Sequence, residues 1–250
     1  MRPRTVLAIG GSDPSGGAGI QADIKAIHAN GGYAMAAIAC LTVQNTHGVH
    51  AVSPVDPQLV EAQVRAVLQD MPVDALKIGM LGTPDIVNAV RRALSEWRGP
   101  MVLDPVGVAK GGRTLQDPAT FSALRELARA ATLVTPNLDE APFFPNGPRL
   151  LKGGHGDGDT LTDVLYDAED QELARWSHPR IASPHTHGTG CTLASALATR
   201  LAHGDTLRDA CEAAIAYVQL QIAASANGLG GGRGPLYQTL TSSRTHGPKT

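Results

Sequence analysis

Cysteine is scarce in this 250-residue chain. Cys40, Cys191 and Cys211 form an odd set with no CxxC spacing, which argues against a disulfide framework or a cysteine zinc site and fits a reducing compartment. Long apolar runs are missing, none approaching the roughly 18 residues that a membrane-spanning helix needs. The N-terminal MRPRTVLAIGGSDP meets Gly10 and Asp13 before the apolar region of a secretory signal could form. An excess of either charge is lacking too. With 21 Lys+Arg against 23 Asp+Glu, a formal charge of -2 and no Lys/Arg run, the chain has no electrostatic footprint for nucleic acid or an acidic membrane surface. There is no internal repeat and no GK[ST] ending of a Walker A loop. These absences leave work on small molecules in the cytoplasm as the expectation, with neither nucleic acid nor membrane as partner.

What is present is a 42% hydrophobic composition, enough to bury a sizeable core. One domain is expected over residues 1–237, followed by a polar tail, 238–250, that lacks a core pattern and is expected to be mobile. From residue 4 to about 136, short apolar or β-branched runs alternate with helical patterns, the mark of βαβ units around a mostly parallel sheet. Strands are predicted at Thr5–Ile9, Met35–Thr42, Ala75–Met80, Met101–Asp104 and Thr132–Val134, all apolar in the way of strands covered on both faces. Asp56-Pro57, Thr83-Pro84 and Asp117-Pro118 each offer a capping side chain followed by proline at the first helical position. Ile20, Ile24 and Ile27 recur at helical spacing and stop at Gly31-Gly32. Further on, Arg149–Lys152, Asp163–Tyr166 and Glu172–Trp176 read as strands with no helix between them, predicting an antiparallel edge. Helices are predicted at Thr189–Ala202 and from Leu207 to about Ala226.

Two glycine-rich stretches stand out. GGSDPSGGAGIQAD, Gly10 to Asp23, lets the backbone turn tightly between a strand and a helix, either as a purely structural turn or to approach a ligand. Asp23, one turn into that helix, faces the crevice at the carboxyl ends of the strands or else solvent. THGTGCTLASALA, Thr186 to Ala198, places Gly188, Thr189 and Gly190 at a helix start, where successive N–H groups and the positive dipole end suit an anion whose charge grows during phosphoryl transfer. Cys191 sits at the same helix end. The dipole there lowers a thiol pKa, making Cys191 a candidate base or nucleophile, against the plainer role of a small buried hydrophobe. DPV at Asp104, TPNLDEA from Thr135 and LKGGH from Leu151 all follow predicted strands, so their acids, amide and lysine open on one sheet edge, as Mg²⁺-water and phosphate ligands or as strand-end caps.

Together, GSDPSGGAGIQADIKA, LTVQNTHGV, ALKIGML, VLDPV, TPNLDEA, LKGGH and HGTGCTLASALA resemble the hydroxymethylpyrimidine/phosphomethylpyrimidine kinases of thiamine biosynthesis, within the ribokinase superfamily, from about Val6 to Tyr237. The resemblance implies an α/β fold of three layers, α/β/α, with a mostly parallel sheet and an antiparallel edge. It also implies ATP with Mg²⁺, two successive phosphorylations of 4-amino-5-hydroxymethyl-2-methylpyrimidine, and a homodimer. By the same resemblance Gln44 pairs with the pyrimidine edge, where an amide can donate and accept in one plane, and Gly11, Asp23 and Met80 line its pocket. Lys152, Asn137 and Glu140 correspond to ligands of ATP phosphate and Mg²⁺-bound water, with Asp104 and Glu140 as the acids nearest the metal. Cys191 stands where the sugar kinases carry the aspartate of GxGD, as the base, beside the Gly188–Gly190 anion hole. His187 orients the loop. The alternatives are a pyridoxine or pyridoxal kinase and a pyrimidine-binding protein without catalysis. Two departures from the family stand out. APFFPNGPR replaces the helix usual before KGGH, so Phe143 and Phe144 are expected to cover the core in its place. Gly107 and Gly111-Gly112 follow DPV where bulkier residues are usual, which predicts a looser flap.

Overall fold

The computed structural model describes residues 2–107, 116–156, 158–225 and 229–238. The expected tail and Gly111-Gly112 lie outside them, apart from Gln238. The chain opens with β1 (Arg4–Ser12), α1 (Gly19–Ala29) and a hairpin of β2 (Gly32–Asn45) and β3 (Gly48–Pro54). It continues through α2 (Pro57–Asp70), β4 (Ala75–Ile78), α3 (Pro84–Ala93), β5 (Met101–Leu103), α4 (Pro118–Ala128) and β6 (Leu133–Val134). The second half contributes β7 (Arg149–Leu151), β8 (Thr160–Tyr166), β9 (Glu172–Pro179), α5 (Thr189–His203) and α6 (Leu207–Ala224). One nine-stranded sheet results, in the order β3-β2-β1-β4-β5-β6-β7-β8-β9. Pairing is parallel from β2 to β7 and antiparallel at both margins. The predicted antiparallel edge is β8–β9. The β3 margin was not predicted, because its residues are half-buried or exposed and lack an apolar run.

Alternation along each strand sorts side chains into two cores, as a period of two requires. Leu7, Ile9, Leu76, Ile78, Leu103 and Val134 pack under α2, α3 and α4. Val6, Ala8, Ala75, Val102 and Leu133 pack under α1, α5 and α6. The three α/β/α layers follow from that division. The predicted caps are formed: Asp56 accepts from the N–H groups of Gln58 and Leu59, Thr83 from Ile86, and Asp117 from Thr120, each with proline in the first turn. Gly31, at φ 81°, ends α1 as expected.

Between β6 and β7 the chain makes only a 3-10 turn, Ala141–Phe143, where a full crossover helix was expected to be missing. Phe144 is 3% exposed and joins the first core. Phe143, 40% exposed, stacks on Phe121 with ring centroids 4.4 Å apart. The covering role thus falls chiefly on Phe144. The Gly107 N–H donates to Glu140 Oε1 at 2.7 Å, and a β-carbon there would come within 2.4 Å of the Phe121 ring, so a side chain at this position would displace that ring. Phe144→Ala should cost about 3–5 kcal/mol in chemical denaturation, the range for emptying a buried aromatic site. Phe143→Ala should cost about 0.5–1.5 kcal/mol, the worth of a stacked pair. Equal losses would contradict this division.

Candidate active site

From β1 the chain first winds one way to β2 and β3, then returns to β4 on the other side of β1. That reversal leaves a crevice at the carboxyl ends of β1 and β4, where open α/β sheets bind ligands. A cleft of about 980 Å³ occupies it and spreads along the same sheet edge, lined by Gln44, Gly11, Asp23, Met80, Asp104, Asn137, Glu140, Lys152, His187 and Gly188 to Cys191. Gly10-Gly11 and Gly79-Met80 floor it at the switch point. Asp104, Asn137, Glu140 and Lys152 follow β5, β6 and β7 in turn.

The first turn of α5 depends on Gly188. At φ 83° it adopts a left-handed conformation, and a β-carbon there would come within 1.8 Å of the Gly17 carbonyl oxygen. The two glycine-rich stretches therefore meet backbone to backbone. A left-handed Gly188 before a right-handed helical turn is the backbone form that makes an N–H concavity able to take an anion. A β-carbon at Gly190 would lie 3.2 Å from Asp104 Oδ2 and 3.6 Å from Lys152 Nζ, so this concavity is continuous with the charged residues.

Those charges are paired. Lys152 Nζ donates to Asp104 Oδ1 at 2.8 Å, and Thr135 donates to the same oxygen at 3.0 Å. Glu140 accepts from the Gly107 and Asn137 N–H groups, and Asn137 Oδ1 accepts from Asp139 and Glu140. Burial lowers the Lys152 ammonium, but Asp104 and Glu140 beside it leave it raised overall. A second pair lies deeper. Lys77, 1% exposed in the middle of β4, puts Nζ within 2.8 and 2.9 Å of the two Asp23 oxygens, and Ser195 donates to Asp23 at 2.8 Å. Asp23 is thus committed to Lys77 and Ser195 beneath the cleft, rather than presenting a free carboxylate to a ligand as its position in the motif suggested. Burial raises it further against the pull of Lys77.

For Cys191 the structure corrects the sequence reading of a depressed pKa. The side chain is 9% exposed, and burial pushes its thiol up to about 11. Lys77 pulls the other way, while Asp23 and Asp104 add to the rise. Loss of hydration outweighs the helix end here, so the resting thiol keeps its proton.

Gln44 stands at an irregularity in the β2–β3 pairing, between Val43 and Gln44, the kind of bulge that re-aims a side chain. Its amide meets His187, which in turn meets Asp13. Asp13 also accepts from Ser15 N–H and O–H, Gly17 N–H and Ala18 N–H. Burial would raise Asp13, yet hydrogen bonds from His187, Ser15 and Ala18 bring it down to about 2. Sequence reasoning missed Asp13 and Lys77. The SDPSGG turn chemistry pointed to the first. A lysine inside the apolar ALKI strand was the only signal for the second.

One sheet between two layers of helices, with glycine-rich loops and a lysine–aspartate pair at its switch-point cleft, is the architecture of a ribokinase-like small-molecule kinase. The phosphomethylpyrimidine kinase family model matches residues 13–149 and 147–237. The chain belongs to that family. The hydroxymethylpyrimidine/phosphomethylpyrimidine kinase of Streptomyces coelicolor is 41% identical over 258 residues, covering 94% of each chain. The thiamine biosynthesis bifunctional protein ThiED of Geobacter sulfurreducens is 42% identical over 261 residues, covering 95% of this chain, which spans 53% of that relative's length. Among solved structures, phosphomethylpyrimidine kinase from Clostridium difficile superposes with a TM-score of 0.74 at 32% identity, covering 87% of this chain and 98% of that one. Pyridoxal kinase from Staphylococcus aureus in complex with pyridoxal gives 0.84 at 29% identity, covering 98% and 96%.

Gly188→Ala should leave the far-ultraviolet circular dichroism unchanged but weaken ATP binding in calorimetry by roughly tenfold or more, because the displaced loop no longer aims its N–H groups. Wild-type affinity would mean that the loop opens around a β-carbon without consequence.

Proposed function

We propose that the chain transfers the γ-phosphate of ATP to the hydroxymethyl group of 4-amino-5-hydroxymethyl-2-methylpyrimidine and then to the resulting monophosphate, supplying the diphosphate for thiamine biosynthesis. The observation that carries this reading is the joining, in one cleft, of a phosphate-handling half and a ring-reading half: Gly188–Gly190 with Lys152 and Asp104, and Gln44 with Gly11 and Met80. The relatives named as pyrimidine kinases support the same substrate. The kinase reading covers residues 1–237 as one domain acting in the cytoplasm. A homodimer belongs to the proposal as well, since Leu41 and Val43 on β2 are apolar and exposed, surface that a second copy would cover.

In this reading the Gly188–Gly190 amides and the Lys152 ammonium stabilise the charge that spreads over the γ-phosphoryl oxygens. Cys191, in the same first turn of α5, takes the proton of the acceptor hydroxyl. Lys152 reaches the phosphates by exchanging its Asp104 partner for them, a swap that keeps the ammonium beside an anion and turns the Asp104 carboxylate to the hydration shell of the metal.

Magnesium fits this site through water. Both Glu140 oxygens and Asp104 Oδ1 already accept hydrogen bonds, and among the described residues no group of three His, Cys, Asp or Glu side chains converges as a metal cage. Mg²⁺ dehydrates reluctantly and binds through waters and phosphates, so Asp104 and Glu140 would hold its hydration shell. When bound, it neutralises phosphate charge.

A panel of the aminopyrimidine, its monophosphate and pyridoxal, each with ATP and read as phosphorylated products, tests the proposal. Transfer to pyridoxal alone would overturn it. Lys152→Ala should lower turnover by about 10²–10³-fold, the cost of one preorganised charge-stabilising donor, with pyrimidine affinity nearly unchanged in calorimetry. Unchanged turnover would remove Lys152 from the chemistry. Because the base must be deprotonated and the Cys191 thiol sits at about 11, turnover should rise roughly tenfold per pH unit between about pH 6 and 9. Cys191→Ala should abolish that slope and lower turnover by about 10²–10⁴-fold. A slope retained in the alanine variant would assign the titration elsewhere.

A further inference from the structure

The amide of Gln44 has ends of opposite polarity, and its neighbours decide which end points where. In one of its two orientations the nitrogen lies 3.1 Å from His187 Nε2 and the oxygen 3.3 Å from Thr42 Oγ1. His187 Nε2 also lies 2.8 Å from Asp13 Oδ2. Asp13 is ionised and can only accept, so Nε2 carries the imidazole proton and directs it at Asp13. A protonated ring nitrogen has no lone pair for a second donor, so the end of Gln44 that faces it must be the oxygen. Thr42 gives the same answer from the other side. Its hydroxyl donates to Ser12 O at 2.9 Å, leaving only lone pairs toward Gln44, and these need the amide NH₂. Amide oxygen and nitrogen are nearly alike in shape and are assigned from such networks. Two independent neighbours select one assignment, with Oε1 toward His187 and Nε2 toward Thr42.

The histidine has little freedom to turn. A β-carbon at Gly17 would come within 2.4 Å of His187 Cδ2 and 2.8 Å of Pro235, so the ring packs on bare backbone. The His187 backbone N–H donates to Gly234 O at 3.2 Å, and the Gln238 side-chain amide donates to Gly17 O at 3.0 Å. Asp13, with five donors converging on its carboxylate, is equally fixed.

We propose that Asp13 and His187 are positioning residues that set acceptor specificity: by holding the imidazole proton on Nε2 they lock the Gln44 amide with its oxygen on the His187 side and its nitrogen on the Thr42 side. The acceptor must then present a hydrogen-bond donor on the His187 side and an acceptor on the Thr42 side. The amino group and adjacent ring nitrogen of an aminopyrimidine make that pair. A pyridine ring bearing an ionised hydroxyl would set oxygen lone pairs against Oε1. This inference rests on the reading of Gln44 as the side chain that meets the ring.

Nitrogen-15 NMR of the unliganded wild-type protein tests the network directly. Long-range correlations should show His187 protonated at Nε2, and Gln44 amide protons should give Overhauser contacts to the Thr42 side chain and none to the His187 ring. A proton on Nδ1 of a neutral His187, or amide contacts to its ring, would overturn the inference. His187→Phe, which keeps a ring against Gly17 and Pro235, should lower the kcat/KM ratio of the aminopyrimidine over pyridoxal by at least about tenfold, the scale of one misplaced hydrogen-bonding contact, with KM for ATP unchanged. An unchanged ratio in the folded variant would also overturn it. If wild-type protein fails to phosphorylate the aminopyrimidine, the function proposed above falls. The NMR measurement, which needs no substrate and no variant, then decides this inference alone.

Discussion

The contact between Gly188 and the Gly17 carbonyl is the constraint on which the cleft depends, because no side chain can come between these two loops. One loop follows β1 and the other precedes α5, so the touching backbones tie the switch point of the sheet to the helix that carries Cys191. The Asp13 carboxylate rests on that contact, gathering N–H groups from the first loop and reaching His187 in the second. The positive φ at Gly188 and the bare backbone of Gly17 are one requirement expressed at two positions.

Both lysines of the cleft are paired with carboxylates. Lys77 with Asp23 and Lys152 with Asp104 form two ion pairs around Cys191, and burying either partner alone would cost several kcal/mol. The pairs differ in access. Lys77 is 1% exposed at the floor of the cleft, whereas Lys152, 15% exposed, is the more accessible of the two ammonium groups. Burial explains why the Cys191 thiol is high despite the helix end: the dipole is a surface-scale effect, and desolvation of a sulfur anion is larger.

Much of this fold was legible because strands covered on both faces read as apolar runs, and Asp-Pro or Thr-Pro pairs mark helix starts by local chemistry alone. β3 escaped because an edge strand with half-exposed residues has no such run. Lys77 escaped for the opposite reason: an isolated lysine breaks the pattern of a buried strand, and its partner lies 54 positions away in sequence. The cleft residues could be gathered by their common place after strands. The opposed roles of Asp13 and Asp23 could not, because both acids sit in one loop-and-helix motif and only the folded chain reveals which of them meets a lysine and which a histidine.

The missing crossover helix changes how one corner of the molecule must assemble. β6 and β7 have two and three residues, so their parallel pairing demands only a short return path, and the 3-10 turn suffices to make it. The layer above them is then completed from outside the connection, by Phe121 of α4 meeting Phe143 and Phe144. A crossover helix would bring its own apolar stripe and could dock as a separate piece. Here the turn is covered by α4, so the strand leading into Lys152 and the helix after the DPV loop hold one another in place, and that end of the cleft is completed by packing between separate elements of the chain.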